Sequence, residues 1–225
     1  MITARALAAI AALVLPAAAS AGPVRRADAR VFPADGGASP ATLQVPLASL
    51  VAAYVKRTGH RHFAKRIVIH KAQRRMDVYA DQTLLKSYLI ELGPAPDAPK
   101  QWQGDGRTPE GDLYVCSVNK VSHYTRFLAL SYPAPADARR GLAAKRITAA
   151  QARAIEAAWR TRRACPPQTT ALGGNVGIHG KGQWGHAAGQ YLLYDWTLGC
   201  VGLRDADILE LFSGYAEVGT PVHIE

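Results

Sequence analysis

Cysteine is scarce in this chain: of its 225 residues only Cys116, Cys165 and Cys200 carry a thiol. No two of them stand at the short spacing of a zinc hook, which argues against a structural metal site. Nor is there an apolar run of the roughly 18 residues that a membrane-spanning helix needs. Aromatic residues make up 8% and do not interleave with the basic ones, so nothing resembles a nucleic-acid-binding module. Acidic residues are also short, 17 against 27 Lys and Arg, leaving a formal charge of +10. Such a balance points to an anionic partner, such as a cell-wall polymer or lipid headgroups, or to a solvated basic surface. What is present in quantity is apolar: 48% hydrophobic and 20% charged residues exclude wholesale disorder and suffice for one core.

The first 21 residues read as a secretory signal peptide. Arg5 and the free amine form a positive start, residues 6–15 an apolar block, and Ala19-Ser20-Ala21 a cleavage site before Gly22. The expectation is an exported, periplasmic protein that does not span the membrane. In an oxidising space an odd number of cysteines leaves one thiol over when a pair forms. Residues 22–65 read as a leader arm, with a short helix capped by Ser49, running to Lys56 and stopped by Gly59.

From residue 66 to 225 the pattern is that of one mainly β domain. Apolar-rich stretches at 67–70, 76–80, 84–92, 113–118 and 127–132 are separated by turn-like polar residues, with no helix between them. Residues 133–170 break the rhythm. Thr148-Ala149-Ala150-Gln151 is a capping box, followed by Ala152, Ile155 and Trp159 at helical spacing. Eight basic residues from Arg139 to Arg163 face the single acid Glu156, which makes this a basic helical insertion. It serves either as a lid or polymer-gripping face or simply as a wet helix surface. The β pattern returns at Val176 and Ile178, a short helix capped by Asp205 covers 206–212, and a last strand covers 221–224.

Cys200 stands out by its surroundings, Thr197-Leu198-Gly199-Cys200-Val201-Gly202, with glycine on both sides. Glycines let backbone N–H groups turn toward a reacting centre, where they hold a developing oxyanion. A thiol attacks as thiolate, and a nearby imidazole or helix N-terminus lowers its pKa. His179, at the end of a strand and before Gly180, is the partner of choice; His186 competes from a loop after Trp184-Gly185. His60 and His62 form a metal-type pair without a further ligand nearby, so surface histidines are the better reading.

Taken in order, these blocks resemble the L,D-transpeptidase catalytic domain, the YkuD family. Gly104-Asp105-Gly106-Arg107-Thr108-Pro109-Glu110-Gly111 is similar to its Gly-Asp-x-x-Thr-Pro-x-Gly loop. His179-Gly180 matches its His-Gly element, Thr197-Leu198-Gly199-Cys200 its Ser/Thr-x-Gly-Cys motif, and Gly219-Thr220-Pro221-Val222 its closing strand. The resemblance implies a β-sandwich carrying the insertion at 133–170 and a short helix after the nucleophile loop. It also implies an exported acyl-transferase of peptidoglycan stem peptides, using no cofactor and no metal. Cys200 would be the nucleophile, His179 the general base and the Gly180 carbonyl the group orienting the imidazole. Backbone N–H groups of Leu198, Gly199 and Cys200 would form the oxyanion hole. Trp184, Tyr194, Trp196, Thr197 and Arg204 are candidates for substrate binding.

Two positions depart from the family pattern: many members carry His where this chain has Leu198, and Arg or Asn where it has Gly202. With Ser122-x-Tyr124, Ser131-Tyr132-Pro133 and Asp195-Trp196-Thr197, this resembles a YafK-like branch, which includes enzymes that hydrolyse the wall linkage to an anchored lipoprotein. Water and amine are therefore both open as acceptors. A rival reading is a wall-binding module without catalysis. Cys116 and Cys165 either pair, tying the insertion to the core, or remain two separate thiols.

Overall fold

In the computed structural model, residues 44–162, 164–184 and 195–225 are described. The signal-peptide reading, the leader up to residue 43, His186 and Tyr194 lie outside them, and of Trp184 only the backbone is described.

Among the described residues, eight strands build one sheet: β1 (Lys65–His70), β2 (Arg75–Ala80), β3 (Thr83–Leu89), β4 (Gly111–Ser122), β5 (Thr125–Leu130), β6 (Gly177–His179), β7 (Val201–Gly202) and β8 (Pro221–Ile224). Their order is β3-β2-β1-β8-β4-β5-β6-β7. The sandwich expectation is corrected here to a mixed α/β fold around one continuous, curled sheet. The reason is β4, long enough to serve both halves. Gly111 to Tyr114 pair with β8, while Val115 onward pairs with β5 across a register shift between Val115 and Ser117. Such an irregularity bends a strand instead of ending it. The outermost strands also meet, because Glu91, just past β3, exchanges backbone hydrogen bonds of 2.9 and 2.7 Å with Gly202 of β7.

The concave side encloses the main core, where Ile67, Ile69, Met76, Val78, Leu128, Leu130, Ile178, Val201, Val222 and Ile224 are all buried. Helix α1 (Leu47–Thr58) packs Leu47 and Tyr54 into that core and ends where Gly59 takes the left-handed φ of 75°. Ser49 does not cap it: the helix starts two residues earlier, after Pro46, with no side-chain cap. Glu210 of α4 (Asp205–Phe212) joins helix to sheet, its Oε2 accepting from Lys86 Nζ at 2.7 Å, Tyr88 Oη at 2.9 Å and the Leu47 N–H at 3.3 Å.

The insertion forms two helices, α2 (Pro135–Ala143) and α3 (Ala149–Thr161), around a small core of Ala138, Ile147, Ala152, Ile155 and Leu172. Thr148 and Gln151 cap α3 reciprocally. Trp159 docks the insertion on the sheet: its Nε1 donates to the Ser131 carbonyl at 2.9 Å, and its ring meets Tyr114 edge-on at 5.2 Å. A disulfide between Cys116 of β4 and Cys165 fastens the far end. Among the described residues, no helix is long and apolar enough to cross a membrane.

Candidate active site

β6 and β7 run parallel, with Ile178 opposite Val201 and His179 opposite Gly202. Ile178 and Val201 are fully buried toward the core. Strand alternation therefore turns His179, Gly202 and Cys200, the residue just before β7, to the other face. Cys200 and His179 become diagonal neighbours on adjacent strands.

Cys200 is the free cysteine among the described residues and is half-buried, its Sγ 3.5 Å from the Asn175 carbonyl oxygen. Burial pushes its thiol up to about 11, outweighing the Gly177 backbone hydrogen bond and the nearby Lys100 charge, which pull it down. This corrects the expectation of a lowered thiol pKa. The resting group is therefore a neutral thiol at pH 7.

The imidazole of His179 stands diagonally across the two strands from it. Its Nδ1 lies 2.7 Å from the Gly180 carbonyl oxygen. A carbonyl only accepts, so this contact assigns the proton to Nδ1 and leaves Nε2 with a free lone pair. Burial holds the imidazole below its ordinary value, against the opposing pull of the Gly180 carbonyl, so it is neutral at pH 7. Three rings fix it: Tyr124 at 4.3 Å, Phe127 stacked at 5.6 Å and Trp196 edge-on at 5.7 Å. Phe127 has its place because position 177 is glycine; a Cβ there would lie 2.4 Å from Phe127 Cζ.

The turn after His179 is held by Asp205, whose Oδ1 accepts from the Lys181 and Gly182 N–H groups at 2.8 and 3.0 Å. Asp205 is thus not the cap of α4, which Arg204 precedes. A side chain at position 180 would place its Cβ 2.3 Å from that same Oδ1.

The Cys200 loop is built on Thr197. Its N–H donates to the Leu92 carbonyl at 3.0 Å, its hydroxyl donates to the Cys200 carbonyl at 2.7 Å, and the same oxygen accepts from the Gly199 N–H at 3.2 Å. With both roles of its hydroxyl taken, the buried Thr197 shapes the loop. Gly199 has a φ of 122°, and a Cβ there would meet the Arg107 carbonyl at 2.3 Å, so the loop lies directly on the Gly104–Gly111 segment. Leu198, two residues before the thiol, is 85% exposed. Trp196 donates its Nε1 to Glu91 Oε2 at 2.6 Å, and Arg204 is paired with Asp207 at 2.8 Å.

Two groups escaped the sequence reading. Lys100 is buried, its Nζ 2.8 Å from Asp105 Oδ1, and its charge reaches Cys200. Lys181, also buried, is held by Glu91 Oε1 at 3.0 Å. Asp105 was visible as part of the Gly-Asp motif, but nothing in the sequence names its partner. No cluster of three or more His, Cys, Asp or Glu side chains fit to hold a metal occurs among the described residues.

The profile of the L,D-transpeptidase catalytic domain (YkuD) matches residues 64–224, and the chain belongs to that family, whose members act on peptidoglycan. Similar solved structures include Bd1075 of Bdellovibrio bacteriovorus, 19% identical over 72% of this chain and 48% of that one, with a TM-score of 0.45. The helical cell shape determining protein Pgp2 of Campylobacter jejuni is 18% identical over 73% of this chain and 48% of that one, with a TM-score of 0.47. An L,D-transpeptidase of Xylanimonas cellulosilytica is 14% identical over 78% and 69%, with a TM-score of 0.40. The chain spans about half the length of the first two. No curated protein sequence matches it.

Proposed function

We propose that this protein is an exported cysteine acyl-transferase of peptidoglycan stem peptides, of the YafK-like branch. The observation that carries the reading is the one free thiol among the described residues, set diagonally across two parallel strands from an imidazole whose Nδ1 is committed to the Gly180 carbonyl. His179 Nε2 takes the proton from Cys200 Sγ as the sulfur attacks the carbonyl carbon that precedes a terminal D-alanine. The oxyanion is held by the N–H groups of Leu198 and Cys200, and by that of Gly199 once it exchanges its 3.2 Å bond to Thr197. Each such donor is worth about 3 kcal/mol of barrier. The tetrahedral intermediate collapses to a thioester on Cys200, and the proton on His179 passes to the departing D-alanine nitrogen. An acceptor amine then attacks the thioester, gives its proton to His179, and the thiol is restored.

Water in place of the amine gives hydrolysis, and the exposed surroundings of Leu198 leave room for it. That second outcome covers release of a wall-attached lipoprotein or trimming of stems. Mass spectrometry of muropeptides after incubating purified sacculi with the protein decides between them, with Cys200→Ala as control. New cross-linked dimers with loss of D-alanine, absent with the variant, identify a transpeptidase. Released lipoprotein or trimmed stems without dimers identify a hydrolase. No Cys200-dependent change rejects catalysis and leaves a wall-binding module.

A further inference from the structure

Most cations around the Cys200 loop are already matched by carboxylates. Lys100 is paired with Asp105, Lys181 with Glu91, Arg74 with Asp195 and Arg204 with Asp207. Gly202, facing His179, brings no side chain at all. Two arginines differ. Arg107, in the glycine-rich loop, and Arg146, between α2 and α3, have no ion pair or side-chain hydrogen bond among the described residues. Both guanidinium groups lie over one indole, that of Trp102, at 5.5 and 4.8 Å from its centre.

This arrangement is built, not incidental. Trp102 is anchored through its backbone, its N–H donating to Asp105 Oδ2 at 3.1 Å and its carbonyl accepting from Lys100 Nζ at 3.1 Å. The insertion is tied to the same loop where Arg140 Nη2 donates to the Lys100 carbonyl at 3.2 Å, and where the Gln103 N–H donates to the Ala171 carbonyl at 3.0 Å. The loop in turn touches the Cys200 segment, since the Arg107 carbonyl is what a side chain at Gly199 would strike. A guanidinium held over an indole face is attracted by the ring and spends none of its N–H donors on it, so they stay free to take a carboxylate. Two like charges brought to one ring without a counter-charge are most stable when an anion arrives.

We propose that Arg107 and Arg146, gathered over Trp102, form a carboxylate-binding subsite beside Cys200 that holds the free carboxylates of a peptidoglycan stem peptide. The assignment rests on the reading of the site as one that handles such stems. It gives the basic insertion a role in substrate recognition, with Arg146 delivered to the edge of the reactive loop.

The test is isothermal titration of a disaccharide tetrapeptide, and of the same compound with its carboxylates amidated, into the Cys200→Ala protein. Binding without turnover keeps it independent of the chemistry. Arg107→Gln and Arg146→Gln are each expected to weaken tetrapeptide binding about tenfold. Amidation should weaken binding to the parent protein and no longer matter in the double variant. Arg160→Gln, an exposed arginine of α3 outside this pair, removes the same charge and should leave affinity unchanged. Equal affinity for all proteins, no loss on amidation, an equal loss in Arg160→Gln, or no binding by the parent protein would each overturn the subsite. Should Arg107→Gln fail to fold, the exposed Arg146→Gln decides alone. Failure of the enzymatic reading shows separately, as the absence of Cys200-dependent products from sacculi.

Discussion

The two halves of the sheet are made in different ways. The half containing β1, β2, β3 and β8 has strands of four to seven residues, apolar side chains on its core face and a helix-to-sheet polar knot at Glu210. The half that runs through β4 and β5 closes on β6 and β7, strands of only three and two residues. Ladders that short cannot hold themselves. Glycines at 177, 180 and 199 let neighbouring groups approach within the space a Cβ would fill, and buried ion pairs such as Lys181–Glu91 and Lys100–Asp105 do the rest. One half is stabilised by area and the other by fit, and Cys200 and His179 sit in the second. Fit fixes a thiol and an imidazole more tightly than a greasy surface can, at the cost of tolerance to substitution.

Substitutions should separate the halves, the largest effect coming first. Cys200→Ala is expected to remove product formation from sacculi by at least about a thousandfold while the thermal midpoint stays put; a retained rate would break the division. His179→Gln should cost about a hundredfold or more by the same assay. On the stability side, denaturant titration under reducing conditions should show a loss of about 4 kcal/mol without the Cys116–Cys165 link, which spans 49 positions.

Lys86→Met, in the half built on area, should destabilise by about 3 kcal/mol because Glu210 keeps its charge without its closest partner. The kcat of the surviving folded protein should not change. Gly177→Ala should do the reverse, costing about 1–3 kcal/mol but also lowering kcat, because the Phe127 ring must leave its place against His179. The smallest effect is on pH. His179 is held below 6.5, so as pH falls past that value the unfolded chain binds the proton first and stability drops until the folded imidazole titrates. Wild type should lose more than His179→Gln between pH 7 and 5, as read by thermal melts.

Much of this arrangement was legible in the residues. Alternation placed β1 and β2 to within two residues, and the Thr148 and Gln151 box gave the start of α3. The blocks around His179 and Cys200 were recognisable, and the structure brings their strands side by side. The failures have physical causes. Ser49 and Asp205 carry the right side chains for caps, but capping depends on where the backbone turns, and the Asp205 oxygen is drawn to the turn at Lys181. Lys181 and Glu91 are 90 positions apart, and a charged residue does not announce a buried partner. The thiol pKa departs from expectation because motif spacing reveals proximity to an imidazole and not desolvation.

The bridge between Glu91 and Gly202 has a further consequence. An open sheet offers two rows of unpaired backbone groups on which other chains can polymerise. Here the two outermost strands are buttoned to each other, and the button sits beside the thiol. On the proposed function, a peptide arriving at Cys200 finds the neighbouring Gly202 backbone already taken by Glu91. It must be gripped by side chains, and so chosen by them, while the protein keeps its most reactive corner from becoming its stickiest one.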